Sequence, residues 1–179
     1  AVKVACFAIG SGLVDVALVV GGEKMRDVTG WEATDFVATL THPQAEYIYG
    51  VTLPALAAMF ARLYMAKYGL THEHLAMVAI KNHENALRNP YAHVQQRITM
   101  EGILHRPEAI MNNPPVAEPL RLYDCCPVSD GAAALILCSE KVARKVERPL
   151  IRIAGIGQAT DTHAVHERQE PTDLTAVKL

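Results

Sequence analysis

The sequence predicts an α/β fold, and three observations carry that expectation. Two apolar runs of strand length lie against turn residues: Asp15–Val20 is followed by Gly21-Gly22, and Leu135-Ile136-Leu137 follows Ser129-Asp130-Gly131 and three alanines. The long stretch between them has helical periodicity interrupted by glycine and proline. A third segment, residues 150–157, alternates as Leu150-Ile151-Arg152-Ile153-Ala154-Gly155-Ile156-Gly157 and reads as another strand.

Composition sets the class. The chain has 179 residues, 50% of them hydrophobic and 20% charged, with a net charge of −2. This is an ordinary globular balance without the basic excess of a nucleic-acid binder. No apolar run approaches the roughly 20 residues of a membrane span, and the N-terminus, with Lys3 and then Gly10-Ser11-Gly12, does not read as a signal peptide. Cys6, Cys125, Cys126 and Cys138 are irregularly spaced, two of them adjacent, which fits a reduced, cytoplasmic setting better than a disulfide framework. The sequence opens at Ala1 inside a helical pattern and stops at Leu179 inside an apolar one, and so reads as a piece of a longer protein.

Taken in order, Val2, Cys6, Ile9 and Leu13 share one helical face, so residues 1–11 form an amphipathic helix ended by Gly10 and Gly12. The strand at 15–20 follows, buried and closed by Gly21-Gly22. Gly30-Trp31 and Thr41-His42-Pro43 read as loops, and Gly50 to Pro54 as another break. Leu53–Tyr68 is a helix with Leu56, Met59, Phe60, Leu63 and Tyr64 on one face and Gly69 as its C-cap. Thr71 caps a second helix through Leu75, Val78 and Ala79 to about Leu87, stopped by Asn89-Pro90. Thr99 caps a short helix over 99–106, with Glu101 near its positive end. Residues 107–119, with four prolines, form an extended connection. Asp124 to Pro127 is a loop, and in the Ser129-Asp130-Gly131 turn Asp130 bonds backbone N–H groups and Gly131 is free to take positive φ. Ala132-Ala133-Ala134 at the head of the next strand predicts that another backbone or a ligand packs close. Glu140–Val146 is a short helix, and Asp161–Glu170 is a polar loop. Thr172-Asp173-Leu174 opens an apolar pattern with Val177 and Leu179.

Three motifs carry a resemblance. Asp124 to Ala134 reads DCCPVSDGAAA, Lys81 to Pro90 reads KNHENALRNP, and residues 1–25 run helix, glycine, strand, Gly-Gly and Glu23-Lys24-Met25. Together they resemble the thiolase superfamily, most nearly its archaeal and sterol-carrier-type members, whose loop reads D-C-x-P-x-S-D-G-A-A-A and whose helix carries K-N-H-x-x-A-x-x-N-P. The resemblance covers essentially the whole chain but only the middle of the family's sequence. It implies a layered αβαβα thiolase fold, here divided as residues 1–25 (N-terminal half), 26–119 (helical loop domain), 120–148 (end of that half) and 149–179 (start of the C-terminal half, with its first strand).

The activity the resemblance implies is acetyl-CoA acetyltransferase or 3-ketoacyl-CoA thiolase chemistry, Claisen condensation or thiolysis through an acyl-cysteine. Such chemistry asks for a thiolate, a base and oxyanion donors. In the family the nucleophile lies a few residues before the helix that begins here, and the activating histidine and second cysteine lie further along, so no catalytic residue is assigned within 1–179. What remains is the wall of the site. Ser129 lies in the loop that runs beside the pantetheine arm. Cys126 stands where many thiolases carry a CoA-contacting serine, and plain packing is the competing reading. Tyr68-Gly69-Leu70-Thr71 aligns with a segment that lines the acyl pocket. His83, on the motif helix, is either a hydrogen-bonded structural histidine or a group near the acyl-CoA.

Simpler readings apply elsewhere. Cys6 lies on an apolar helix face with only Lys3 near it, and reads as core. His72 with His74, or His163 with His166, lacks a third ligand or an H-E-x-x-H frame, so no metal is expected. Gly10-x-Gly12 precedes its strand, against a dinucleotide loop. Cys125-Cys126 is not C-x-x-C, and Cys138 reads as core. Arg121 is either a solvated arginine or a contact to CoA phosphate. No tightly bound cofactor is expected, CoA and acyl-CoA being substrates. The family implies a homodimer or tetramer, with HMG-CoA synthase and a small OB-fold protein as further partners. The alternatives are another condensing enzyme of this fold, a ketoacyl synthase or HMG-CoA synthase, and a non-catalytic thiolase-like subunit.

Overall fold

The computed structural model describes residues 1–173 and 175–178; Leu174 and Leu179 of the terminal apolar pattern lie outside the described residues. The chain forms two compact units, one of residues 1–27 and 129–160, the other of residues 28–128 and 161–178.

In the first unit, helix α1 (Val2–Gly10) ends in a turn where Gly12 takes φ 77°, a conformation that glycine adopts without steric cost. Cys6 and Ile9 are half-buried on it, whereas Val2 and Leu13 are exposed. Strand β1 (Val16–Glu23) pairs antiparallel with a strand over Gly131–Cys138, with Val16 opposite Cys138 and Glu23 opposite Gly131. The sequence placed the strand's end at Gly21-Gly22, but the ladder runs through both glycines, which face Ala133 and Ala132. Gly131 is likewise a strand residue and not a positive-φ turn residue. The strand is also less buried than its apolar run predicts. Ala17, Val19 and Leu137 are half-buried on a shared face, while Leu18 and Ile136 are 67% and 71% exposed. A two-stranded ladder with one helix against it covers one face only.

The ladder is tied at both ends by aspartates. At one end Asp130 Oδ1 accepts the Met25 and Arg26 N–H groups at 2.9 Å each. At the other, Ser139 donates its N–H to the Asp15 carbonyl and its hydroxyl to Asp15 Oδ1, both at 2.9 Å. Residues 150–157 form no strand and are exposed throughout. Alternation specifies which face a strand would present, and a strand also needs a partner edge for its N–H and C=O groups.

The second unit opens with a helix where the sequence reading placed a loop. Helix α2 (Gly30–Ala38) starts at a capping box: Thr29 Oγ1 accepts the Glu32 N–H and Glu32 Oε2 accepts the Thr29 N–H. Helix α3 (Leu53–Tyr68) has the predicted bounds, with Thr52 accepting the Ala55 N–H and Gly69 at φ 69° closing it. Its buried position is Ala58, while Met59, Leu63 and Tyr64 of the predicted apolar face are exposed. Helix α4 (His72–Ala86) is capped by Thr71, whose N–H donates to His74 Nδ1 at 3.0 Å.

Ala76, Ala79, Ile80 and His83 form the inward stripe of α4, at i, i+3, i+4 and i+7, and Val78 faces outward. Ile98 and Ile103 complete this core, with Met100, Leu104 and Tyr123 packed on it. Residues 101–105 close as one wide i+5 turn, Arg106 N–H to Glu101 O at 3.0 Å, in place of an ordinary short helix. The proline-rich connection is not wholly extended: it holds a one-turn helix α5 (Ala109–Asn112) and β2 (Pro115–Ala117), which pairs with β3 (Leu120–Arg121). A 3-10 turn, Leu122–Asp124, follows. In the first unit, β4 (Gly131–Cys138) leads to α6 (Glu140–Ala143), shorter than expected. Residues 161–170 of the second unit are not a plain polar loop, because Ala164 and Val165 are buried there.

Candidate functional site

The mouth of the β1–β4 ladder is built from small residues. Gly21 and Gly22 on one strand face Ala133 and Ala132 on the other, and these alanines are exposed. A Cβ on Gly22 would meet the Ala132 Cβ at 3.6 Å, an ordinary contact, so packing inside this unit does not itself demand glycine there. Asp130, anchored on the Met25 and Arg26 amides, fixes the loop on which Ser129 sits half-buried. The result is a low surface of backbone and methyl groups with a hydroxyl at its edge, open to a chain that lies along the strand.

The second unit holds the other three candidate residues and joins one of them to the segment leading to another. His83 faces inward from α4, and its Nδ1 lies 2.8 Å from the Gln96 carbonyl oxygen. A carbonyl only accepts, so Nδ1 carries the proton and, in the neutral ring, Nε2 holds the lone pair. The Tyr123 ring meets the imidazole edge-on, with centroids 5.4 Å apart and planes at 70°. Tyr123 stands three residues before Cys126, so the motif helix packs on the turn that leads into the cysteine loop. Cys126 is exposed and Cys125 half-buried. Burial pushes the Cys125 thiol up, and the nearby Asp124 and Cys126 push it further.

Tyr68 stands apart from that pair. It is the last residue of α3, 54% exposed, with its ring 4.5 Å from that of Tyr64 and the Lys67 ammonium 5.5 Å from its centroid. Tyr64 in turn lines a cavity of about 370 Å³ with Phe60, Ala61, Arg168, Pro171 and Thr172. Arg121 is half-buried and not a solvated surface residue, and its Nε is buried with no hydrogen-bond partner among the described residues.

His72, His74 and His163 have structural partners. His74 accepts the Thr71 N–H in the cap of α4, and His72 Nε2 lies 3.5 Å from Glu118. His163 Nε2 lies 3.3 Å from the Leu40 carbonyl, its ring 5.2 Å from that of His42. Among the described residues no group of three His, Cys, Asp or Glu side chains is arranged to hold a metal ion.

Two buried polar residues escaped sequence reading. Asn113 is 2% exposed; its Oδ1 accepts the Tyr123 N–H at 2.9 Å and its Nδ2 donates to the Ile103 carbonyl at 3.2 Å. Glu46 is 5% exposed and accepts the His42 and Val165 N–H groups at 2.8 and 2.9 Å. Both bridge segments distant in sequence, which no local spacing announces. For Glu46 the only sequence signal is its polarity between Ala45 and Tyr47, a pattern shared with many solvated residues, and Asn113, between Asn112 and Pro114, gives none.

Comparison with known proteins places these features in context. The family profile described as thiolase, N-terminal domain, matches residues 1–141. The acetyl-CoA acetyltransferase of Methanocaldococcus jannaschii is 43% identical over 100% of this chain and 44% of its own length. That of Methanothermobacter thermautotrophicus is 42% identical over 98% of this chain and 44% of its own. Among solved structures, the Ltp2-ChsH2(DUF35) aldolase superposes with a TM-score of 0.77 at 29% identity, over 98% of this chain and 44% of that one. The chain thus spans under half the length of the relatives it matches.

Proposed function

The chain belongs to the thiolase family, and from that premise we propose that the whole protein is an acyl-CoA acyltransferase of the acetyl-CoA acetyltransferase type. Residues 1–179 supply its acyl-CoA-binding wall. The observation that carries this reading is the small-residue ladder mouth, Gly21-Gly22 against Ala132-Ala133, with the Ser129 loop fixed at its edge by Asp130. An extended pantetheine chain fits such a surface because no side chain stands in its way and backbone polar groups are near. Ser129, Cys126, His83 and Tyr68 are the contacts assigned to acyl-CoA, and CoA is a substrate, not a resident cofactor.

The nucleophile is placed elsewhere in the whole protein. Cys126 is taken as a contact to acyl-CoA; Cys6 is half-buried in α1, burial and Asp124 push the Cys125 thiol up, and Cys138 is half-buried in β4. A nucleophilic thiol needs the opposite environment, a basic neighbour or a helix N-terminus that lowers its pKa. In the proposed reaction that thiolate attacks the 3-keto carbon and the carbon–carbon bond breaks. The released acetyl-CoA carbanion takes a proton, and the acyl group passes from cysteine to the thiol of a second CoA.

The test is acetoacetyl-CoA cleavage by the whole protein. One CoA consumed and two acetyl-CoA formed per turnover is the expected result, and acyl-CoA binding without turnover would mark a non-catalytic subunit and overturn the reading. The likeness to the Ltp2-ChsH2(DUF35) aldolase favours a second reading, carbon–carbon cleavage without CoA consumption in company with a DUF35 partner. CoA dependence separates the two. A homodimer or tetramer, association with HMG-CoA synthase or a small OB-fold protein, and a cytoplasmic setting belong to the same proposal. Among the described residues no helix is long and apolar enough to cross a membrane.

A further inference from the structure

We propose that Asn113 is a positioning residue: it locks the Leu122–Asp124 turn so that Tyr123 fixes the His83 ring, and His83 then keeps Nε2 as its proton-accepting nitrogen beside the turn that leads into the Cys125–Cys126 loop. The acyl-CoA half of this inference rests on the function proposed above; the positioning half rests on geometry alone.

The geometry runs through three contacts. Asn113 is buried, and its amide makes opposite kinds of bond to two separate turns, accepting from Tyr123 N–H and donating to Ile103 O. Its own N–H donates to Ala109 O at 2.7 Å. A primary amide is suited to this place, since it offers a donor and an acceptor a few ångströms apart. Without it, a buried N–H and a buried C=O would lose their partners together. Both turns pack on the same stripe of α4: Ile103 belongs to the core with Ala76 and Ala79, and Tyr123 lies against that core. Tyr123 thereby reaches His83, whose other anchor is the Gln96 carbonyl, two residues before the core residue Ile98. The Gln96 carbonyl selects the Nδ1–H tautomer, and the Tyr123 ring holds the imidazole in the plane that this bond needs, so loss of the ring contact also loosens the tautomer. Held on both sides, His83 keeps a single nitrogen available, and that nitrogen is an acceptor in the neutral ring.

The experiment uses the whole protein labelled with nitrogen-15 at histidine. Imidazole proton–nitrogen correlation spectra are recorded alongside steady-state kinetics with acetoacetyl-CoA and CoA, and His83→Gln identifies the His83 signals by their loss. Wild type is expected to show His83 as a fixed Nδ1–H tautomer. In Asn113→Ala that pattern collapses toward exchange between tautomers, and KM for acyl-CoA rises about fivefold while kcat stays within about twofold. Tyr123→Leu leaves the Asn113 bond to its backbone N–H in place and is expected to give the same His83 change in a protein that still unfolds cooperatively. It therefore carries the test if Asn113→Ala does not fold. An unchanged His83 pattern in the folded variants overturns the positioning, whatever KM does. A pattern that changes in a protein without acyl-CoA turnover upholds the positioning and overturns the acyl-CoA reading.

Discussion

Glu46 and the cysteine pair show how single residues acquire properties that their type does not announce. Burial raises the Glu46 carboxyl pKa, but the N–H groups of His42 and Val165 and the charges of His42 and His163 outweigh it, leaving the group below the ordinary 4.5. A carboxylate with a depressed folded pKa contributes stability that is complete above the ordinary range and is lost as the pH falls through the folded value. We therefore expect Glu46→Gln to lower stability at pH 7 by about 1–3 kcal/mol, because its amide nitrogen faces an N–H donor. It should also flatten the acid limb of the thermal midpoint plotted against pH. Parallel acid limbs for the two proteins would contradict the assignment. For the cysteines, the raised Cys125 thiol is less often a thiolate than an ordinary cysteine at any given pH. Peptide mapping after brief alkylation near pH 8 should find Cys126 modified well before Cys125, and acyl-CoA should slow only Cys126. Equal labelling would contradict the burial argument.

At the scale of elements, the legible ones are those whose ends are chemically marked. Helix α3 lies between Thr52-Leu53-Pro54 and Gly69, and α4 begins at Thr71, so Leu53–Tyr68 and His72–Ala86 were readable to within a residue. Helix α2 was equally marked, by Thr29-x-x-Glu32, but Gly30 and Trp31 drew the reading toward a loop. Thr29→Ala should destabilise the second unit by about 1 kcal/mol, and Gly69→Ala by about 1 kcal/mol, since Gly69 sits at φ 69°. Chemical denaturation of both variants checks these values, and wild-type midpoints would show that the caps are not needed. Strand limits were harder to read. Gly21-Gly22 looks like a turn in one dimension and is a ladder segment in two, because the partner's Ala132 and Ala133 are known only once the strands are paired. Asp130 was expected to bond backbone N–H groups, and the two it bonds, those of Met25 and Arg26, lie about a hundred residues away, just past the end of β1. Asp130→Ala leaves those two N–H groups without the carboxylate and should cost about 2 kcal/mol, with faster amide exchange at Met25 and Arg26. Unchanged exchange at both amides would remove Asp130 from its role.

At the scale of the molecule, the α/β class was legible because apolar period and turn chemistry agree over long stretches. The family was legible because two motifs, at 81–90 and 124–134, carry unusual residues at fixed spacing, and the match spans residues 1–141. The site was legible only as separate positions. That His83 faces the core of α4 and meets Tyr123, while Tyr68 packs on Tyr64, depends on helix phase and on the buried bridge through Asn113. The measurement closest to the central claim is KM for acetoacetyl-CoA in the whole protein, wild type against Cys126→Ala and His83→Ala. An acyl-CoA-binding wall predicts CoA-dependent cleavage in all three, with KM raised about fivefold, or roughly 1 kcal/mol of binding, in each variant and kcat within about twofold. CoA-dependent cleavage with wild-type KM in both variants would contradict it.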